Sequence, residues 1–376
     1  MTADAEATRR WRLILGRYAN DTLPADHFTT KDAAIERTLG YLYDREYTAR
    51  GHRQREQGKG GSLDPSALTA LNWLDGARVL FPQSTFERMQ VQAIERYQLT
   101  ELLIDQQTAA SLQPTPELAT ALLSIRGMLD ASLEAGVRTV IAATVADIVQ
   151  RIKPRFVQTL RGQRNRTRSP QRSSQNFDWR GTIRANLANY DHDTSRIIVD
   201  TVRFTSRVRR SLPWEVIVCV DQSGSMASSV MYSAICASIL AALPSVTVKL
   251  VLFDTNVTDL TDLASDPVAV LMTAQLGGGT DIAKALAYCE SLVTTPSRTV
   301  IVLISDFEEG GSVTHLLAGV SRLKSSGVTL LGLAALDEGA EPSYDKSMAE
   351  RLAGRGMHVA ALTPEHFAEW LGGVMS

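Results

Sequence analysis

From Leu212 to the C-terminus, short apolar runs rich in β-branched residues alternate with stretches of helical periodicity. The strand-like runs are 215–220, 247–253, 257–260, 298–304, 328–334 and 357–361, and the helical stretches are 229–242, 281–292, 313–324, 345–353 and 364–371. Such alternation is typical of a doubly wound, mostly parallel sheet with helices on both faces. The sequence therefore predicts an α/β fold for the C-terminal half.

The first half of the chain has helical patterns and few strand signals. Ser84 with Glu87 forms a capping-box pattern ahead of one helix, and Thr115 followed by Pro116 predicts the start of another. The stretch 137–160 also has helical periodicity. These patterns predict an α-helical N-terminal domain.

A basic segment separates the two halves. Residues 151–172 contain eight Lys or Arg and no acidic residue, and the part from Arg161 to Pro170 is typical of an exposed linker. The predicted organisation is a helical domain over 1–160, a basic linker and connecting segment over 161–211, and an α/β domain over 212–376.

Composition restricts the class of protein. The chain has 376 residues, 44% hydrophobic residues and a formal net charge of −2, which suits a globular protein of two domains. No apolar stretch approaches the roughly 20 residues that span a bilayer, and the first residues lack the pattern of a secretory leader. Three cysteines in apolar surroundings suggest reduced core thiols. A cytoplasmic protein without a membrane span is expected.

Asp221, Ser223 and Ser225 follow directly on the apolar run 216–220, which reads as a buried strand. In open α/β sheets, ligand sites lie at the carboxyl ends of the parallel strands. A carboxylate and two hydroxyls at alternate positions there can converge on one hard cation. The same serines can instead cap the following helix, and one loop alone does not decide between these roles.

Two later loops offer further oxygen ligands at strand or helix boundaries. Thr280 follows three glycines, and Asp306 comes shortly after the strand-like run 300–304. Mg²⁺ takes about six oxygens at roughly 2.0–2.1 Å and retains several waters, so a few protein oxygens suffice. A site rich in neutral hydroxyls leaves the cation electrophilic enough to accept a carboxylate from another molecule. The predicted metal ligands are Asp221, Ser223, Ser225, Thr280 and Asp306.

These five positions resemble the metal-ion-dependent adhesion site (MIDAS) of von Willebrand factor A (VWA) domains. That site has the pattern Asp-x-Ser-x-Ser, followed later by a Thr and then by an Asp. The resemblance extends from Leu212 to the C-terminus. It implies a VWA, Rossmann-like sheet with an antiparallel edge strand at 257–260, and a bound Mg²⁺, with Mn²⁺ or Ca²⁺ as alternatives.

The arrangement of a helical half before such a domain is similar to that of CoxE-like or YehP-like proteins. The sequence segments that show this similarity are 62–65, 221–226 and 276–282. Those proteins are associated with MoxR-type AAA+ ATPases. The resemblance implies a non-enzymatic adaptor that binds such an ATPase, its client, or both, through an Asp or Glu on the partner.

Two other functions stay open from the sequence. The basic linker could bind nucleic acid, although no nucleic-acid-binding fold is recognisable. A Mg²⁺-dependent phosphoesterase would need a general base near the site, and the sequence offers none. No phosphate-binding Gly-x-x-x-x-Gly-Lys-Ser/Thr pattern occurs either.

Overall fold

A computed structural model provides the coordinates of most of the chain. It describes residues 3–19, 22–23, 25, 28–49, 70–97, 99–104, 106–128, 130–160, 177–191, 194–204, 214–243, 246–336 and 343–375. The N-terminal segment 62–65 and the linker 161–170 lie outside these ranges.

The first half is helical, as predicted. Its α-helices are α1 (Ala3–Leu15), α2 (Thr30–Ala49), α3 (Ala70–Leu80), α4 (Gln83–Glu95), α5 (Glu101–Ile104), α6 (Gln106–Ser111), α7 (Pro116–Ile125) and α8 (Glu134–Leu160). The Thr115 side chain accepts a hydrogen bond from Leu118 N–H and Pro116 begins α7, which confirms that helix start. The capping box predicted at Ser84 is wrong, because α4 already begins at Gln83 and Pro82 occupies the N-cap position.

A small connecting unit covers residues 177–204. It contains α9 (Trp179–Ala185) and the two-residue antiparallel strands β1 (Tyr190–Asp191) and β2 (Arg196–Ile197). An isolated bridge between Phe177 and Phe204 closes it at its base. The sequence analysis predicted only a connecting segment here and neither the helix nor the two short strands.

The C-terminal half contains a six-stranded sheet. Its strands are β3 (Trp214–Asp221), β4 (Val246–Phe253), β5 (Val257–Asp259), β6 (Thr299–Ile304), β7 (Thr329–Leu336) and β8 (His358–Leu362). The spatial order is β5-β4-β3-β6-β7-β8, and every pairing is parallel except that of β4 with β5. The predicted mostly parallel α/β sheet, with an antiparallel edge strand, is confirmed.

Helices connect the strands and cover both faces. They are α10 (Ala227–Ala241), α11 (Pro267–Thr273), α12 (Ile282–Leu292), α13 (Val313–Ser325), α14 (Lys346–Ala353) and α15 (Pro364–Val374). Helix α11 was missed from the sequence, although Asp266 caps it and Pro267 begins it. Both residues are typical helix-start signals, but the helix is only seven residues long and its apolar periodicity is short.

Two hydrophobic cores flank the sheet. One contains Phe253, Leu286 and Leu316 and lies under α12, α13 and α14. The other combines the opposite sheet face and α10 with residues of the N-terminal helices, including Leu122 and Phe156. Phe156 of α8 and Phe367 of α15 meet edge to face with ring centroids 6.2 Å apart. The helical half and one sheet face therefore share a continuous core.

One segment of the described chain, Gly224–Ala241, has the length and apolar composition of a membrane-spanning helix, so the expectation that no apolar stretch approaches that length is wrong. Of this segment, 72% is buried within the fold. It comprises α10 and the short turn before it. Helix α10 packs on the sheet on one side and on α7 and α8 on the other. Burial on both sides explains why its sequence is apolar nearly all round.

Candidate metal centre

The candidate site lies where neighbouring strands send their connections to opposite faces of the sheet. After β3 the chain continues into α10 on one face, whereas after the adjacent β6 it continues into α13 on the other. The two connections diverge and leave a crevice outside the carboxyl ends of these strands. Ligands of open α/β sheets bind at such a switch point.

Asp221 is the last residue of β3, and its side chain is completely buried. One carboxylate oxygen, Oδ1, accepts a hydrogen bond from Ser223 N–H at 2.9 Å. The other, Oδ2, accepts one from the Ser305 hydroxyl at 2.8 Å. The carboxylate is thus held at the strand end from two sides.

Ser223, Ser225 and Asp306 form a chain of neighbouring oxygens. Ser223 Oγ lies 3.2 Å from Ser225 Oγ, and Ser225 Oγ donates to Asp306 Oδ2 at 2.9 Å. Adjacent ligands in a Mg²⁺ octahedron of roughly 2.0–2.1 Å bonds lie about 2.9 Å apart. The spacing of these three oxygens therefore suits neighbouring positions around one small divalent cation.

Ser223 and Ser225 do not cap the helix that follows. Ser223 precedes a short 3-10 turn, Gly224–Met226, without a side-chain capping bond, and Met226 occupies the N-cap position of α10. The hydroxyls point instead toward each other and toward Asp306. This removes the helix-capping alternative for both serines.

Thr280 lies in the third predicted loop, and backbone hydrogen bonds of Gly277 and Thr280 join that loop to the other two. Gly277 N–H donates to Gln222 O at 2.9 Å, beside the β3 loop, and Gly310 N–H donates to Thr280 O at 2.9 Å, beside the β6 loop. Within the described residues, no hydrogen bond joins the Thr280 hydroxyl to the other four predicted ligands. Gly277 and Gly278 have positive φ angles of 127° and 99°, which glycine adopts without strain.

Ser305 was not among the predicted site residues. It is fully buried; its hydroxyl donates to Asp221 and accepts from Phe307 N–H at 3.0 Å. Phe307 has a left-handed φ of 63°, which is uncommon for an aromatic residue and costs roughly 1–2 kcal/mol. The signal available from the sequence was a hydroxyl directly before Asp306 at a strand end.

The ionisation of Asp221 is governed by its surroundings. Burial raises the pKa of its carboxyl above the ordinary range, and the nearby Asp306 carboxylate acts in the same direction. Hydrogen bonds from Ser223 N–H and the Ser305 hydroxyl oppose this shift. Two close carboxylates in a buried setting repel each other, and a divalent cation between them would offset that repulsion.

Other acidic side chains near this edge have local structural roles. Asp281 caps α12 by accepting from Lys284 N–H at 2.9 Å, at the first residue of the predicted helical stretch 281–292. Burial raises the pKa of Glu309, whose carboxylate accepts from Ala283 N–H and Gly311 N–H. Asp254 accepts from Asn256 N–H in a turn and from the Gln222 amide at 3.2 Å.

The donor set excludes a soft-metal site in the described part of the chain. No group of three or more His, Cys, Asp or Glu side chains that could hold a metal occurs among the described residues. Cys219, Cys236 and Cys289 are free thiols and buried, as expected. Two carboxylates with two or three hydroxyls match a hard cation of the Mg²⁺ type.

Comparisons with known proteins agree with this architecture. The family model of VWA domain containing CoxE-like proteins matches residues 139–371, beginning within α8. The protein YehP of Escherichia coli (strain K12), which is uncharacterized, is 38% identical over 368 residues, covering 96% of this chain and 95% of the relative.

Two solved structures show a much weaker likeness. An aerotolerance-related membrane protein from Bacteroides fragilis has 16% identity and a TM-score of 0.34, covering 43% of this chain and 98% of its own. The conserved hypothetical protein BatB from Bacteroides thetaiotaomicron has 17% identity, the same TM-score and the same coverage. Family membership rests on the sequence matches: the chain belongs to the VWA domain containing CoxE-like proteins.

Proposed function

We propose that this protein is a non-enzymatic adaptor that binds a partner protein through a divalent cation at the MIDAS-like site. Asp221, Ser223, Ser225, Thr280 and Asp306 would hold the cation, with Mg²⁺ the first candidate and Mn²⁺ or Ca²⁺ alternatives. An Asp or Glu of the partner would complete its coordination. VWA domains generally mediate protein–protein interactions, and family membership supports this class of function.

The observation that carries the proposal is the close spacing of oxygens from two strand ends. Ser225 Oγ lies 3.2 Å from Ser223 Oγ and 2.9 Å from Asp306 Oδ2, while the buried Asp221 carboxylate lies at the base of the same crevice. Burying two carboxylates close together is unfavourable without a counter-charge. A cation at this place would account for both the spacing and the charge.

The chemistry of the site favours binding over catalysis. A bound cation would act there as a Lewis acid that accepts one more oxygen ligand. His315, His358 and His366 are the described histidines beyond β6, and His366 lies at the start of α15, where it contacts Thr363. None of the three has a hydrogen bond to a predicted ligand among the described residues, so none of these three is positioned as a general base.

We further propose that the partner is a MoxR-type AAA+ ATPase, a client of that ATPase, or both. The support for this step is the resemblance to CoxE-like and YehP-like proteins. In such a system the ATPase would supply the work, and this chain would supply recognition. Displacing one metal-bound water orients the partner, while contacts around the site contribute most of the binding free energy.

Metal binding is tested first on the purified chain. Titration with Mn²⁺, in which electron paramagnetic resonance measures the free ion, is expected to give one binding site. Addition of Mg²⁺ should then displace the bound Mn²⁺. Asp221→Ala should abolish this binding, because it removes a carboxylate that no neighbour replaces. Asp262→Ala, which removes an exposed carboxylate outside the crevice, is the matched control and should leave binding unchanged. Equal Mn²⁺ affinity in both variants would reject the metal centre.

Partner binding is tested by affinity capture from native lysate with Mg²⁺ and with a chelator. A specific partner should be captured with Mg²⁺, lost with chelator, and lost with Asp221→Ala but not with Asp262→Ala. Capture that is the same in all four conditions would reject the metal bridge. Phosphoester turnover by the purified chain with Mg²⁺ would instead support the phosphoesterase alternative.

A further inference from the structure

Arg126, which directly follows α7, reaches from the helical half of the chain to the sheet half. Its guanidinium Nη1 donates hydrogen bonds to Leu271 O at 2.9 Å and to Ala274 O at 3.2 Å. Arg126 lies before the region that the family model matches, 139–371, whereas both acceptors lie within it. The contact therefore joins the matched region to a part of the chain outside it.

The two acceptors are carbonyl groups at the C-terminal end of α11. The last carbonyls of a helix have no partner within the helix itself. In a longer helix, Gln275 N–H would donate to Leu271 O. Here Gln275 N–H donates instead to Gln222 Oε1 at 3.2 Å. Arg126 thus supplies a donor that the end of α11 lacks, as basic side chains commonly do at helix C-termini.

Gln222 connects the end of α11 to the candidate metal centre. It directly follows Asp221 and is 5% exposed. Besides the bond to its side-chain oxygen, its backbone oxygen accepts from Gly277 N–H at 2.9 Å. Its side-chain amide donates to Asp254 Oδ2 at 3.2 Å. One buried residue therefore joins the β3 loop both to the loop after α11 and to the turn after β4.

The loop between α11 and α12, residues 274–281, contains the predicted ligand Thr280. Three glycines precede Thr280, and glycine restricts the backbone less than any other residue. The position of Thr280 therefore depends on how the two ends of this loop are fixed. Asp281 fixes one end by capping α12, and Arg126 and Gln222 fix the other.

We propose that Arg126 is a positioning residue of the metal centre, through which the helical half controls the affinity of that centre for its cation. The control acts through the end of α11 and Gln222, and it rests on the proposed function because it concerns the same site. A partner that draws α7 away from α11 would release the start of the Thr280 loop and weaken cation binding. Coupling between two sites is reciprocal, so cation binding would strengthen the Arg126 contact by the same free energy.

The first test measures the Mn²⁺ affinity of full-chain variants. Arg126→Met removes the donors but keeps much of the side-chain length, and it is expected to weaken Mn²⁺ binding about fivefold or more. Arg126→Lys retains a charged donor and should recover part of this loss. Arg138→Met, which removes an exposed arginine of α8, is the matched control and should bind like the wild type. A contact that served stability alone would change the urea midpoint and leave the affinity unchanged.

Gln222→Met tests the next contact in the same connection. It should also weaken Mn²⁺ binding, because the loop after α11 loses its bond to the β3 loop. Combined with Arg126→Met, it should lose less binding free energy than the sum of the two separate losses, since both act on one loop. Strictly additive losses would overturn the connection through Gln222.

The second test uses hydrogen exchange followed by mass spectrometry. Without any cation, peptides covering 274–281 should exchange faster in Arg126→Met than in the wild type, whereas peptides of α13 should not change. In the wild type, Mn²⁺ should slow exchange at the end of α7, residues 122–128. This last measurement needs no variant, so it decides the matter even if Arg126→Met folds poorly. Unchanged exchange at 122–128 would overturn the proposed control.

The outcomes separate this inference from the proposed function. A wild type that binds Mn²⁺, with equal affinity in Arg126→Met, would overturn the role of Arg126 and leave the metal centre intact. A wild type that binds no Mn²⁺ would overturn the metal centre and this inference together. Unchanged exchange of 274–281 in cation-free Arg126→Met would show that Arg126 does not fix this loop, whatever the metal affinity.

Discussion

At the scale of single residues, the candidate centre depends on hydrogen bonds that fix the carboxylates. Ser305 links the two strand ends, since its hydroxyl donates to Asp221 on β3 while its own backbone precedes Asp306 on the β6 loop. Its oxygen also accepts from Phe307 N–H, which supports the left-handed backbone at that residue. Groups that orient metal ligands commonly affect affinity almost as much as the ligands do.

Ser305→Ala should lower Mn²⁺ affinity by about tenfold or more, because Asp221 loses the donor that orients Oδ2. Isothermal titration gives the affinity directly. Ser312→Ala is the control, since Ser312 caps α13 and its loss should cost about 1 kcal/mol of stability without changing the affinity. Unchanged affinity in Ser305→Ala would show that Asp221 is positioned without it.

Glu215 forms a second buried polar cluster at the opposite end of β3. Lys249 Nζ lies 2.6 Å from Glu215 Oε1, and Thr294 N–H and the Thr299 hydroxyl each donate to Oε2 at 3.0 Å. Burial alone would raise the pKa of Glu215, but these donors outweigh it, and the pKa lies below the ordinary value of 4.5. The ionised form is therefore favoured by folding.

Glu215→Gln should lower the free energy of unfolding by about 2 kcal/mol at pH 7, since it removes the charged acceptor. A depressed folded-state pKa stabilises the fold above the unfolded-state pKa and loses that effect as pH falls through the folded-state value. The difference between wild type and variant should therefore shrink below pH 4.5. Urea unfolding at several pH values measures it, and a difference independent of pH would contradict this role.

At the scale of elements, close backbone contacts fix how the N-terminal helices pack. Gly136 lies in the first turn of α8, and a Cβ atom placed on it would be 2.0 Å from Leu103 O of α5. Only glycine allows this approach. The contact helps to orient α8, the helix that also packs on α10, α11 and α15.

Gly136→Ala should destabilise the protein by about 1–3 kcal/mol, because either helix must shift to relieve the clash. Chemical unfolding measures the change. Gly127→Ala is the matched control, since no heavy atom lies within 4 Å of its added Cβ, and it should change stability by no more than about 0.5 kcal/mol. Equal free energies of unfolding for the two variants would show that α5 and α8 can shift apart enough to admit the methyl group without loss of stability.

At the scale of the whole molecule, the shared core joins parts that the sequence separated. The predicted boundaries at 160 and 211 stay a prediction. The core nevertheless runs from Trp73 and Leu122 in the helical half to Val216 and Ile235 in the sheet half. The family match also begins within α8 rather than after it. Cooperative unfolding follows from a core of this kind.

Phe156→Ala should lower the free energy of unfolding by about 3–5 kcal/mol, since a fully buried ring is removed. Wild type and variant should each unfold in one transition, seen at the same urea concentration by far-ultraviolet circular dichroism and by tryptophan fluorescence. Two separated transitions, with only the first shifted in the variant, would show that the halves unfold independently.

The sequence by itself determined the parallel sheet and the helix start at Thr115, because these depend on local periodicity and capping. The antiparallel edge strand followed from the resemblance to VWA domains. The sequence also predicted a ligand site in the loops after β3 and β6, since ligands of such sheets bind at the carboxyl ends of the strands. The metal ligands themselves remain a prediction at all five positions.

Tertiary structure decided what depends on residues distant in the chain. The Ser305–Asp221 hydrogen bond joins positions 84 residues apart, and the packing of Phe156 on Phe367 joins α8 of the helical half to the last helix of the sheet half. The exposure of Trp179 in the connecting unit is equally invisible in sequence, because periodicity shows which residues are apolar but not which of them find a partner in the core. Burial is a property of the whole molecule, whereas periodicity is a property of each segment.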